Sequence, residues 1–228
     1  MNLNILFEDK DIIVCHKPVG IASQNDRSFN PDMTSLLKNH LAKSISKSSA
    51  NGIKKEPYVG VIHRLDKPVE GVLVYGKNPK AAAFLSRQVS EKNGTKNLMV
   101  KKYIAKVYGL LPIDENNETH LLEHYLFQDK KSNKSKVVTK EHAGCKLARL
   151  SYRCKEHLDI NEQTASIVDI TLQTGRHHQI RVQFSQLGYP IVGDRKYGKK
   201  DDSGKGLELC AYSLSFVHPN GKKMTFTI

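Results

Sequence analysis

The chain has 228 residues, 39% of them hydrophobic, and its 36 lysines and arginines against 23 acids give a formal charge of +13. That length allows one large domain or two small ones, and no apolar run approaches what a bilayer crossing needs. The N-terminal MNLNILFEDKDIIVCHKP has no basic region followed by a long apolar stretch, so a secretory signal is not expected. Four cysteines (Cys15, Cys145, Cys154, Cys210) without C-x-x-C spacing read as reduced thiols of a cytoplasmic protein. The basic surplus favours a polyanionic partner, since each neutralised phosphate releases counterions. The lysines also cluster, at Lys92 to Lys106, Lys130 to Lys136 and Arg195 to Lys200. A solvated surface is the bland alternative.

In chain order, ILFEDKDIIVCHKP reads as two short strands around an Asp-Lys-Asp turn. Thr34 is the expected cap of a helix through SLLKNHLAKSI, with Leu37, Leu41 and Ile45 on one face. Residues 46–57 are apolar-poor and read as a loop, and Tyr58–Ile62 as a strand leading into His63-Arg64-Leu65-Asp66. VLVY after Gly71 is a strand, and Asn78-Pro79 opens a helix with a cap and a proline at its first position. Ala81, Phe84, Leu85 and Val89 supply its buried stripe. KKYIAKVYGLL and SIVDITLQ are strands by alternation. Thr174-Gly175 ends the second, and Ile180, Phe184 and Leu187 have helical spacing before Gly188. SLSFVHPNGKKMTFTI is a hairpin turning at Asn220-Gly221. Strands outweigh helices, with no repeat and no interdomain linker, so a single α+β domain over residues 1–228 with a mostly antiparallel sheet is expected.

Three segments carry polar residues that a plain core or surface does not need. In His63-Arg64-Leu65-Asp66, an extended chain puts Arg64 and Asp66 on one face and Leu65 toward the core. A surface Arg–Asp pair explains the tetrapeptide equally well. In Lys102-Tyr103-Ile104-Ala105-Lys106, a tyrosine between lysines suits a base and its phosphates, or is a core tyrosine on a strand. In Gly175-Arg176-His177-His178-Gln179-Ile180-Arg181, a glycine turn feeds a helix whose first turns bear two arginines and two histidines. That is either an anion site or a solvated cap, with Arg181 one turn inside.

Together these segments resemble the RluA-type pseudouridine synthase family over nearly the whole chain. The resemblance rests on Lys17-Pro18-Val19-Gly20, on His63 to Asp66 with Gly71, and on Lys101 through Gly109. It continues with Thr174 to Val182, Leu187 to Gly198, and Leu209 to Pro219. It implies the pseudouridine synthase fold, a central mixed sheet flanked by helices and loops with an active-site cleft across it. Asp66 would be the catalytic aspartate, Tyr103 the aromatic on the target base, Arg181 the cation paired with the aspartate, and Arg64 the filler of the vacated stack. Arg176, His178, Ile180 and Lys102 would contact substrate. The resemblance further implies RNA (rRNA or tRNA) as substrate, no metal, no cofactor, no membrane association and no obligate protein partner. A monomer is expected, without the S4 module that many relatives carry. Val69-Glu70 stands where relatives have Thr-Ser, His177 where they have Thr, and Gln183 where they have His.

Two rivals remain. One is a non-catalytic RNA-binding protein on the same fold, disfavoured because Asp66 and Arg181 are both retained. The other is a zinc metalloprotease, from His120-Leu121-Leu122-Glu123-His124, which matches H-x-x-E-H but needs a helix and follows loop-like sequence.

Overall fold

The computed structural model describes residues 3–25, 30–48, 56–89, 98–113, 118–160, 163–199 and 206–228. It forms two compact units, Met1–Met99 with Ser213–Ile228, and Val100–Tyr212. In the first, β1 (Asn4–Glu8) turns into β2 (Ile12–Lys17) around Asp9, whose carboxylate accepts the N–H groups of Asp11 and Ile12 at 2.8 and 2.9 Å. β2 pairs antiparallel with β4 (Glu70–Gly76), which also carries the two-residue β3 (Gly60–Val61). The strand expected over Tyr58–Ile62 is thus reduced to two residues.

The alternating residues Ile12 and Val14 of β2, and Val72 and Val74 of β4, pack with Leu85 of α2 (Pro79–Ser86), Met99, Leu214 and Phe216. Asn78 caps α2 by accepting from Ala81 N at 2.8 Å, with Pro79 at the first position as expected. The helix sits close because glycines line its bed: a Cβ on Gly76 would lie 2.7 Å from Ala82 N, and one on Gly60 2.7 Å from Ala82 Cβ.

α1 (Met33–Ser48) starts elsewhere than Thr34. Asp32 accepts the N–H groups of Thr34 at 2.9 Å and Ser35 at 3.1 Å. A carboxylate there takes two orphan amides at the positive helix end, and the Thr34 hydroxyl donates to it instead of capping. Leu37 and Leu41 are buried, whereas the Ile45 side chain lies outside the described residues. The helix runs on through Ser48 into the segment read as a loop. β10 (Leu209–Val217) and β11 (Lys223–Thr227) form the expected hairpin, with Gly221 at φ +90° in its turn.

The second unit is a sheet of β5 (Val100–Tyr108), β9 (Gln163–Leu172), β8 (Lys146–Ile160), β6 (His120–Asp129) and β7 (Lys134–Val138), adjacent in that order and antiparallel throughout. Register aligns Leu122, Leu150, Leu172 and Lys101 in one cross-strand row, and His120, Tyr152, Ile170 and Tyr103 in the next. α3 (Gln179–Gln186) covers this face: Phe184 meets Tyr152 edge-on at 5.3 Å, and Val182 packs on Leu126 and Ala148. Gly188 ends it at φ +89°. The α+β class and the largely antiparallel sheet match the sequence reading.

The glycine bed of α2 gives the first test. Gly76→Ala forces a methyl against helix backbone and should destabilise by about 1–3 kcal/mol, measured by urea denaturation. A change under about 0.3 kcal/mol would show that the helix shifts freely.

Candidate active site

Asp66 belongs to the first unit, on a loop that several groups hold. Its carbonyl accepts Val69 N at 2.9 Å, which makes Asp66 the first residue of a turn. The preceding Leu65 is buried, and Ser23 locks it twice, its Oγ donating to Leu65 O at 2.8 Å and accepting from Leu65 N at 3.0 Å. Tyr75 in turn donates to Ser23 O at 2.8 Å. Arg64 is exposed and Asp66 half-buried, so the buried Leu65 between them follows the extended-chain expectation.

Lys17 is the central tie of this loop. It is 0% exposed, and its ammonium donates to Pro18 O, Ile21 O and Lys67 O at 3.0, 2.8 and 3.2 Å. Gly20 N also donates to Lys67 O, at 2.9 Å, so the Lys-Pro-x-Gly turn and the Asp66 loop form one hydrogen-bonded piece. Burial pushes the Lys17 ammonium down to about 8, against the pull of the Asp66 and Glu70 carboxylates. Asp66 therefore feels a fixed cation of its own unit. Glu70 adds a second carboxylate to that field, 3.6 Å from His16 Nε2. Sequence reasoning missed Lys17 as a charge near Asp66, although the motif containing it was recognised.

Tyr103, Arg181, Arg176, His178, Ile180 and Lys102 belong to the second unit. Tyr103 is 6% exposed on the α3-covered face of β5, and strand alternation turns Lys102 to the opposite, exposed side. Lys101 is the lysine on the Tyr103 face. Counting by twos along the strand finds it. Ile180 is buried and Arg176 exposed, its Nε donating to Leu147 O at 2.8 Å.

Arg181 is 4% exposed and meets Asp194 in a two-pronged contact, Nε to Oδ2 at 2.8 Å and Nη2 to Oδ1 at 2.6 Å. Burial works to raise the Asp194 carboxyl, but the Arg181 guanidinium and the N–H groups of Lys196 and Tyr197 hold it below its ordinary range. The Tyr197 ring lies 5.3 Å from the guanidinium carbon. Its hydroxyl accepts from Ser135 N at 2.7 Å and is hydrogen-bonded to His178 Nδ1 at 2.7 Å. Arg181 is thus oriented from two sides before any substrate arrives.

His178 sits at φ +53° just before α3. Burial first, then the charges of Arg181, His177 and Lys196, push it down to about 3. It is neutral near pH 7, and the cations at this helix start are the arginines.

The zinc motif has no helix. His120 to Asp129 is β6, where residues four apart stand about 13 Å apart, and Glu123 pairs with Arg149 at 2.5 Å. Among the described residues Asp9, Asp11 and His218 cluster as metal ligands would. Asn220 N donates to His218 Nδ1 at 3.2 Å, which leaves the proton on Nε2. That atom lies 3.0 Å from Asp9 Oδ2, though off the hydrogen-bond direction. A metal would need the lone pair that this proton occupies, so the trio does not fit one.

Residues 11–186 match the family model of RNA pseudouridylate synthases. An uncharacterized RNA pseudouridine synthase of Aquifex aeolicus is 34% identical over 99% of this chain and 69% of its own length. A ribosomal large subunit pseudouridine synthase D of Borreliella burgdorferi is 35% identical over 96% and 61%. The chain therefore spans about two thirds of the length of these relatives. The solved human RNA pseudouridylate synthase domain containing 1 shares the fold, with a TM-score of 0.72 at 20% identity, covering 100% of this chain and 83% of that one. The chain belongs to the RNA pseudouridylate synthase family.

Two tests follow from the geometry. Lys17→Met leaves the carbonyls of Pro18 and Ile21 without their donor, while Lys67 O keeps Gly20 N, and each unmet carbonyl costs about 1–3 kcal/mol when buried. That loss exceeds the relief from removing a buried charge, so denaturation should show a net destabilisation of at least about 2 kcal/mol. Equal or greater stability would remove Lys17 as the tie. For His178, the unfolded state binds a proton below about pH 6.5 that the folded state refuses until about pH 3. Its contribution to stability is full above 6.5 and is lost as pH falls through that window. His178→Asn tolerates the left-handed backbone and should flatten the stability profile between pH 6.5 and 3. An unchanged acid slope would mean other groups set it.

Proposed function

We propose that this chain isomerises specific uridines of structured RNA, rRNA or tRNA, to pseudouridine, with Asp66 as the catalytic carboxylate. The observation that carries this reading is the Asp66 loop itself. A half-buried aspartate is placed on a turn whose backbone is fixed by Ser23, Gly20 and Lys17, with the Lys17 charge in its field. The ribosomal large subunit named for the Borreliella relative supports rRNA, and the dual specificity named for an RNA pseudouridine synthase of Vibrio vulnificus, 31% identical, supports a range wider than one RNA.

Pseudouridine formation breaks the N1–C1′ bond, turns the uracil and joins C1′ to C5, with no net oxidation. Side chains suffice if they stabilise charge and hold the loose base. Asp66 attacks C1′ or takes a proton on a glycal route. Tyr103 stacks on the base and Arg181 balances the carboxylate. Arg64, exposed, fills the stack that the uridine leaves, because a base inside a helix must be extruded before chemistry reaches it. Arg176, His178, Ile180 and Lys102 contact the substrate, His178 as a neutral group, and the lysine clusters hold its phosphates. The working unit is a single cytoplasmic catalytic domain over residues 1–228, acting as a monomer.

The test is pseudouridine formation in total rRNA and tRNA from cells lacking the gene. Asp66→Asn should lose at least about a thousandfold in single-turnover rate while RNA affinity changes less than about threefold. Near-normal turnover by folded Asp66→Asn would refute the assignment.

A further inference from the structure

One lysine of the second unit breaks the rule that governs its surroundings. Lys101 ends the cross-strand row Leu122, Leu150, Leu172, a place where the pattern calls for a fourth apolar residue. It is 5% exposed. Among the described residues no carboxylate, carbonyl or hydroxyl meets its ammonium. Lys17, also buried, has three carbonyls. The charge closest in effect to Lys101 is another cation, Arg176. Burial, with that repulsion added, pushes the Lys101 ammonium down to about 8. An unmet charge of this kind is expensive in a folded protein.

The surroundings of the ammonium are built to admit an anion. A Cβ on Gly175 would stand 3.3 Å from Lys101 Nζ, so the missing side chain leaves that approach open. Among the described residues the Gly175 N–H has no acceptor, and Arg176 commits only its Nε, to Leu147 O. The turn is fixed by Gln179, whose Oε1 accepts from Thr174 Oγ1 at 2.8 Å and Arg176 N at 3.0 Å, and whose Nε2 donates to Arg149 O at 3.0 Å. Tyr103 stands two residues from Lys101 on the same face, about 6.6 Å along the strand. That spacing is comparable with the reach of one nucleotide from base to phosphate.

We infer that Lys101, the Gly175 N–H and the Arg176 guanidinium form a subsite for the phosphate of the nucleotide whose base lies on Tyr103. The inference rests on the assignment of Tyr103 as the base-stacking residue. A nucleotide phosphate entering there supplies the missing counter-charge, and Arg176 closes over it from the solvent side. The subsite is a phosphate contact, which positions the nucleotide and reads no sequence.

The experiment uses the full chain with three probes at equal concentration: uridine, uridine 5′-monophosphate and inorganic phosphate, read by thermal shift. Uridine 5′-monophosphate should raise the melting temperature of the wild type more than either other probe. Lys101→Met should melt no lower than wild type without ligand, since a thioether fills the row without a buried charge, and should lose the advantage of the monophosphate over uridine. Lys101→Arg should keep part of it. Gly175→Ala, which keeps the lysine but crowds its approach, serves as a second route to the same loss should Lys101→Met fold poorly. With a uridine-containing single-stranded RNA, Lys101→Met should also reduce the slope of log affinity against log salt by about 0.7. The proposal is overturned if the monophosphate advantage survives in both Lys101→Met and Gly175→Ala, or is absent from the wild type. Inorganic phosphate matching the monophosphate would overturn the nucleotide assignment. These readouts involve no turnover, so an active Asp66→Asn enzyme would sink the catalytic reading while leaving the subsite to stand or fall separately.

Discussion

A charge removed from water must be met by an opposite charge or by a set of lone pairs. Among the described residues Lys17, Arg181 and Lys101 are buried cations that stand differently toward that demand. Lys17 takes three main-chain carbonyls and so becomes the knot that joins the Lys-Pro-x-Gly turn to the Asp66 loop. Arg181 takes both oxygens of Asp194 and stacks near Tyr197. Lys101 takes nothing from the described residues, and that contrast marks it as the cation kept for a ligand.

The first two arrangements explain how a small domain holds reactive groups still. A buried ion pair adds little net stability compared with apolar packing, because desolvation offsets most of its attraction. What Arg181 and Asp194 gain is direction: a planar fork against a planar carboxylate has one good geometry. Asp194 is itself fixed by the N–H groups of Lys196 and Tyr197 at 2.9 and 3.1 Å. The tyrosine hydroxyl passes the constraint on to His178 and Ser135. Substitution within this chain of contacts moves the Arg181 guanidinium without touching it, because its direction depends on preorganised neighbours.

His178 shows how a motif reading can miss a residue's physical state. A histidine beside arginines at a helix start looks like part of a cationic anion site. Packed under Tyr197 and near Arg181, it is instead held neutral. The cation supply of that turn falls to Arg176, which reaches solvent, and to Lys101, which comes from a strand more than seventy residues earlier.

The sequence by itself determined the elements whose cause is local. Period-two alternation marked β5 and β9, Asn78-Pro79 opened α2, and Asn220-Gly221 turned the last hairpin, because each depends on neighbours within a few residues. The ordered motifs likewise sufficed for the family. The two-residue β3 was beyond it, since a strand needs a partner and β3 has only the end of β4. The helix cap is Asp32 rather than Thr34 because the Asp32 carboxylate takes the N–H groups of Thr34 and Ser35, which draws Thr34 into the first turn. That Arg181 meets Asp194, that Lys17 lies in the field of Asp66, and that Lys101 rather than Lys102 shares a face with Tyr103 and ends a row of leucines required the register of four strands and the packing of a helix on them. Those are contacts between residues far apart in sequence, and no local pattern encodes which distant atom comes within hydrogen-bonding distance.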